Sequence, residues 1–219
     1  MSTFDPLLAV MNPRRIPECI ASLERLDIRR AWLQRYTEWE LQSVIASIVD
    51  DEAIAFSHMA LVADDCIVSQ EALDAVLALA RDYPVVTGYC RLAEGNPLVN
   101  ITTRPLMGDE PTPFAYDFYR LEDVLAWPRE VVPTGFVGFA VTCMSREMWR
   151  RFPFGVYGHE GESWSSDFHL SRRLRDAGVP MVAAREGFVV HVKHEWNARD
   201  NTPGRELLIG REPARVEVE

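Results

Sequence analysis

Two adjacent carboxylates, Asp64 and Asp65, close the apolar run from His58 to Ala63. Like charges a few ångströms apart repel. A divalent cation resolves that conflict, and hard oxygen ligands suit Mg2+ or Mn2+. The alternative duty for the pair is to flank a helix starting near Ser69, where negative charge is also favourable. His191 closes a second apolar run. Its imidazole either makes structural hydrogen bonds or completes a carboxylate–imidazole site that tolerates manganese. In strand geometry Lys193 projects to the same side as His191, as a point charge suited to phosphate groups. Asp167 opens a helix, where it complements the dipole or serves as a general base toward a hydroxyl. Trp164 beside it offers a flat face for a ring, or packs. Gly135 and Gly138 flank Phe136 and Val137, and glycines within a strand mark a bulge or a close approach of another group. Arg14 and Arg15 follow the first apolar run, within reach of a phosphate or a base.

These residues need elements to hold them, and the hydropathy pattern supplies a set. Leu7 to Met11 reads as a strand closed by Asn12-Pro13. Pro17 suits the first turn of a helix that buries Ile20 and Leu23. Ala31 to Leu33 is a short second strand. Thr37 and Glu40 form a capping box ahead of Leu41, Val44, Ile45 and Ile48 at helical spacing. His58 to Ala63 is a buried strand, and Ser69 caps a helix carrying Leu73, Val76, Leu77 and Ala80. Pro84 stops that helix, and Val85 to Thr87 is the next strand. Such alternation implies a parallel sheet with helices on both faces. Ligands then bind beyond the carboxyl ends of the strands, where Asp64 and Asp65 lie.

Between about Gly95 and Pro133 the pattern dissolves, and six of the 14 prolines fall there. This stretch reads as a hairpin, with strand character at Phe114 to Tyr119, plus mobile loops lining part of a cleft. Gly135 to Cys143 reads as one strand, followed by a short helix from Ser145. Ser165 or Ser166 caps a helix with Leu170, Leu174 and Ala177, ended by Gly178. Met181 to Ala184 and Phe188 to Val192 read as two last strands. The polar tail after Trp196 has no clear core face.

The bulk numbers exclude several classes. With 219 residues the chain suits one sizeable domain. At 47% hydrophobic residues it is too apolar for a disordered chain. A net charge of −10 argues against an extended nucleic-acid groove. The four cysteines, Cys19, Cys66, Cys90 and Cys143, form no CxxC pair and read as buried thiols, which points to a reducing, cytoplasmic setting. The N-terminus lacks the pattern of a signal peptide. No apolar run approaches the ~18 residues needed to span a bilayer.

In order and spacing these pieces resemble a GT-A glycosyltransferase of the large family of nucleotide-sugar enzymes in bacteria and phages. The resemblance rests on Asn12-Pro13-Arg14-Arg15 after the first strand, Leu61 to Val68 around the acidic pair, Thr134 to Phe139, Ser166 to Leu170, Gly178, and Val190 to Lys193. It implies an α/β fold, a single GT-A-like domain over 1–219. A Rossmann-like, mostly parallel central sheet would carry helices on both faces and a smaller antiparallel acceptor-side portion. A nucleotide-binding half would occupy 1–92 and an acceptor and catalytic half 93–194, with a tail at 195–219 as a candidate lid. By resemblance Asp65 and His191 hold Mn2+ or Mg2+, and Arg14, Arg15, Asp64, Asp65, Gly135, Gly138 and Lys193 bind a nucleotide sugar, expected to be a UDP-sugar. Trp164 faces an acceptor of unassigned identity (glycan, protein, metabolite or modified nucleobase), and Asp167 is the base of an inverting transfer. The family's Asp-x-Asp motif places its second acid on Asp65 and its first on Ala63. Its Glu-Asp dyad falls on Ser166-Asp167. Each motif has therefore lost one acid.

Those two losses support a second reading, a non-catalytic sugar- or nucleotide-binding protein on the same fold. A nucleotidyltransferase is a third, weakened because Asn12 to Pro17 lacks the glycine-rich loop typical of that class.

Overall fold

The computed structural model describes residues 3–12, 16–34, 38–93, 95–103, 117–155, 157–159, 162–164, 166–192 and 216–218. Its first half alternates strand and helix: β1 (Pro6–Asn12), α1 (Pro17–Glu24), β2 (Arg30–Gln34), α2 (Glu38–Asp50), β3 (His58–Ala63), β4 (Cys66–Ile67), α3 (Gln70–Leu79) and β5 (Val85–Tyr89). There follow β6 (Leu98–Thr102), β7 (Phe118–Arg120), α4 (Leu121–Leu125), β8 (Val131–Thr134), β9 (Thr142–Ser145) and α5 (Arg146–Arg151). The last elements are β10 (Tyr157–His159), β11 (Glu162–Trp164), α6 (Ser166–Asp176), β12 (Met181–Phe188), β13 (Val190–His191) and β14 (Val216–Val218).

Eight strands form the central sheet in the order β14-β2-β1-β3-β9-β5-β12-β8. β2, β1, β3, β5 and β12 run one way, and β14, β9 and β8 run against them. The expected mostly parallel α/β sheet is therefore present. Its side chains divide by strand period. Leu7, Ala9 and Met11 of β1 join a core with Leu41, Ile45 and Ile48 of α2, Trp149 of α5 and Leu170 and Leu174 of α6. Leu8 and Val10 face the other way, into a core with Leu23 of α1 and Leu73 and Val76 of α3. Helices thus cover both faces, and each fully buried Leu contributes about 1.5–3 kcal/mol. β6 and β7 pair antiparallel as a separate small sheet.

Ends behave as their residues dictate. Pro17 starts α1, Ser69 Oγ accepts from the Ala72 amide at the start of α3, and Ser145 Oγ accepts from the Met148 amide at the start of α5. Gly178, at φ +65°, follows α6 as expected. Thr37 and the aromatic run 114–116 lie outside the described residues.

α2 has no basic residue in its last turn, and its C-terminal end is closed from a distance. The Arg146 guanidinium donates to the carbonyls of Val49 at 2.8 Å, Asp51 at 2.6 Å and Ile54 at 3.0 Å, and lies 4.2 Å from the centre of the Phe56 ring. Arg146→Met should cost about 2–3 kcal/mol of stability, because charge-assisted bonds to carbonyls at the end of the helix and just beyond it are lost. Urea denaturation measures this directly. A loss below about 0.5 kcal/mol would mean that water replaces the arginine without penalty.

Three expectations need correction. Gly135 to Cys143 is not one strand: β8 ends at Thr134, residues 135–141 form a buried crossing, and β9 begins at Thr142. Its backbone groups find partners outside any ladder. The Val137 amide donates to Ser171 Oγ, the Phe139 carbonyl accepts from the Ala63 amide, and the Val141 carbonyl accepts from the Gly88 amide. An apolar run with both sides buried carries no periodicity to reveal such a path. The final pair of strands is also divided differently. β12 runs to Phe188 through an irregularity after Ala183, leaving β13 only two residues. In the tail, Val216–Val218 adds an edge strand beside β2, which the polar composition concealed.

Candidate functional site

Asp64 and Asp65 sit in the turn between β3 and β4, beyond the carboxyl end of the sheet. Four residues separate them from α3, whose first turn carries Glu71 instead, so they do not flank that helix. Asp64 is fully buried, its amide donating to the Met11 carbonyl at the end of β1. The two-residue strands β4 and β13 pair antiparallel, setting His191 opposite Cys66. The Val192 amide donates to the Asp65 carbonyl at 2.7 Å. This pairing brings His191 Nε2 within 2.9 Å of Asp65 Oδ2, with the two side chains 17% and 8% exposed. His191 Nδ1 lies 3.6 Å from Cys90 Sγ, and Cys66 Sγ lies 3.6 Å from Asp65 Oδ1. All four cysteines are free and buried, as expected. Burial first, then the charge of Asp65, holds the Cys66 thiol well above its usual range, so it stays protonated.

Asp65, His191 and Asp167 line one cavity of about 200 Å³, together with Asp64, Cys90 and Asn100. A second, also of about 200 Å³, shares Cys90, Asn100, Asp167 and His191 with the first and continues past Arg91, Phe136 and Phe168. The two are lobes of one cleft meeting at those four residues. Each alone is smaller than the ~300 Å³ at which pockets hold drug-sized ligands, so each has room for about one ring.

Asp167 reaches the cleft because α6 is pinned behind it. Leu170 and Leu174 are in the core, Ser171 Oγ accepts from the Val137 amide, and the Phe168 ring packs 5.3 Å from that of Phe136. Asp167 Oδ1 accepts from the Phe168 amide at 2.8 Å. His169, two residues on, is pushed down to about 4 by burial and by Arg173 and Arg172, which makes it a weak base.

A divalent cation is implied by the resemblance, and the donor set can be tested for fit. Among the described residues no group of three or more His, Cys, Asp or Glu is placed to hold a metal. Magnesium-like cations commonly take only one or two protein ligands, completing their shell with water and substrate phosphate. Asp65 Oδ2 and His191 Nε2 are such a pair. In the neutral ring that donates to Asp65, Nδ1 accepts from the Cys90 thiol. With Nε2 free to bind a cation, Nδ1–H faces the same sulfur, which can also accept. Cys90 supports either tautomer, so the residues fit.

The remaining expected residues divide. Neither Gly135 nor Gly138 is among the described lining of the two lobes. The space beside Gly138 is filled by Asn100: an added Cβ would lie 2.6 Å from Asn100 Nδ2. Arg14, Arg15 and Lys193 lie outside the described residues, and of Trp164 only the backbone, in β11, is described.

Asn100 itself was missed. It lies between Val99 and Ile101, both fully buried, and this alternation within a short apolar run is the signal that could have found it. Its Oδ1 accepts from the Cys90 amide at 2.7 Å, and its own amide donates to the Cys90 carbonyl at 2.9 Å. Gly138→Ala should displace this side chain and cost about 1–3 kcal/mol. Thermal denaturation should show most of that loss recovered in the Gly138→Ala/Asn100→Ala double variant. Additive losses would place the strain elsewhere.

No family model matches the chain, and no curated protein matches its sequence. Solved structures do match. The structure of A197 from STIV aligns over 82% of this chain and 81% of its own, with a TM-score of 0.52 and 16% identity. A mutant β-1,4-galactosyltransferase 7 from Drosophila, in complex with manganese, UDP-Gal and xylobiose, aligns over 97% of this chain and 82% of its own, with a TM-score of 0.45 and 15% identity. The inositol-1-phosphate CTP transferase from T. maritima aligns over 94% and 96%, with a TM-score of 0.47 and 11% identity. At these identities the likeness concerns the fold, and the two lower scores lend no weight to a functional reading. Among the described residues no helix is long and apolar enough to cross a membrane.

Proposed function

We propose that the protein is a metal-dependent glycosyltransferase, moving a sugar from a nucleotide-sugar donor, read as a UDP-sugar, onto an acceptor hydroxyl. One observation carries the reading: Asp65 and His191, far apart in sequence, meet at 2.9 Å on a cleft that Asp167 also lines. A carboxylate–imidazole pair beyond the carboxyl ends of an α/β sheet is where such a fold binds nucleotide phosphates.

Asp65 and His191 would hold Mn2+ or Mg2+, which when bound supplies positive charge against the departing diphosphate. Asp64 lines the donor lobe beside them. Arg14, Arg15 and Lys193 are assigned to the donor phosphates and base, and Trp164 to the acceptor. Gly138 is assigned an indirect part, as the seat of Asn100, and Gly135 stays with the donor by resemblance alone. Asp167 is the general base: its carboxylate takes the proton of the acceptor hydroxyl as that oxygen attacks the anomeric carbon, giving inversion.

Thermal shift tests binding. Nucleotide sugars at about 100 times Kd should stabilise the fold by about 2.7 kcal/mol, with manganese required. No shift with any nucleotide sugar would overturn the reading.

A further inference from the structure

We propose that the second lobe is the acceptor subsite and that it takes a ring compound carrying an anionic group, recognised by Arg91. This rests on the transferase reading and adds the acceptor's chemical class.

The two lobes differ in charge although they share Cys90, Asn100, Asp167 and His191. The first holds the acidic pair and no described Arg or Lys, which suits a cation with a diphosphate. The second holds Arg91, and no ion pair to Arg91 exists among the described residues. Among the described residues its guanidinium makes one hydrogen bond, from Nη1 to the Asn96 carbonyl at 2.8 Å. Arg91 is half-buried in a protein of net charge −10, and acidic chains have no shortage of partners for a cation. Leaving this one to line a cavity points to an anion supplied from outside. A guanidinium fixed through one nitrogen keeps its remaining donors for a planar, two-point contact with carboxylate or phosphate.

The walls define the rest of the ligand. Phe118, Phe136 and Phe168 line the same lobe, and the rings of Phe136 and Phe168 are held 5.3 Å apart at 59°. Flat apolar faces beside a polar junction suit a ring that presents C–H or π faces to the wall and a hydroxyl to Asp167. At the junction the Asn100 carboxamide has its oxygen committed to the Cys90 amide at 2.7 Å. Its NH2 end is seated beside Gly138, so both ends of the carboxamide are fixed at this point of the wall.

The test uses the full chain with glucose, glucose 6-phosphate and glucuronate as probes, so that a neutral ring, a phosphate and a carboxylate are compared on one scaffold. Titration calorimetry should show at least one anionic probe binding about tenfold tighter than glucose, the gain expected of a charge-assisted contact. Arg91→Met should reduce that preference to within about twofold and leave manganese-dependent binding of UDP-glucose unchanged. Which anionic probe wins decides between phosphate and carboxylate. Equal or absent binding of all three probes, or a preference that survives Arg91→Met, overturns the proposal. So does weaker UDP-glucose binding in Arg91→Met with the anion preference intact, because Arg91 would then serve the donor. Failure of wild type to bind any nucleotide sugar is a separate result that sinks the transferase reading.

Discussion

Asp167→Asn should lower sugar transfer by about 10²- to 10⁴-fold while nucleotide-sugar affinity stays within about twofold of wild type. The substitution keeps the size of the side chain and its bond from the Phe168 amide, made through Oδ1 at 2.8 Å. The negative charge and the basicity are lost together. α6 is anchored by Leu170, Leu174 and Ser171 rather than by Asp167, so the fold should survive. The neighbouring His169, held near 4, cannot substitute as a strong base. Single-turnover assays with bound donor separate chemistry from binding. Undiminished turnover would remove Asp167 from the reaction.

Asp65→Asn should act on the other half of the cycle. Its amide still offers an oxygen but no charge, and the side chain loses half of the carboxylate–imidazole pair at 2.9 Å. Manganese-dependent donor affinity should fall by at least about a hundredfold, beyond the 10- to 100-fold typical of losing a partner behind a metal ligand. Metal-independent affinity should change little. Calorimetry with and without EDTA measures both terms, and equal manganese dependence in variant and wild type would take the cation away from Asp65. The two variants therefore fail differently, one in chemistry and one in binding.

Much of the framework was legible because the responsible signals are local. β1, β3 and β5 are short apolar runs bounded by Pro, Asp or Gly, and α3 and α6 combine caps with a repeating apolar stripe. The acidic pair was legible for the same reason, since two charges directly after a buried strand stand out. Its union with His191 was only half visible. It depends on β4 and β13, two residues each, too short to leave a period in sequence. Residues 135–141 were misread as strand because an apolar run buried on all sides looks alike in a ladder or in a crossing. Asn100 and Arg91 escaped because they enter from a proline-rich stretch with no sustained pattern, and their positions are set by tertiary contacts. For Gly138 the sequence left a bulge or a close approach open, and the neighbour beside it is the chain's own Asn100 amide.

The most direct measurement is the identity of the small product released by wild-type protein with manganese and a panel of nucleotide sugars. A glycosyltransferase liberates nucleoside diphosphate, slowly with water as acceptor, and EDTA or Asp65→Asn should suppress the release. Donor binding without any nucleoside diphosphate would contradict catalysis and leave a binding protein. Pyrophosphate from a nucleoside triphosphate and a sugar phosphate would instead make the chain a nucleotidyltransferase.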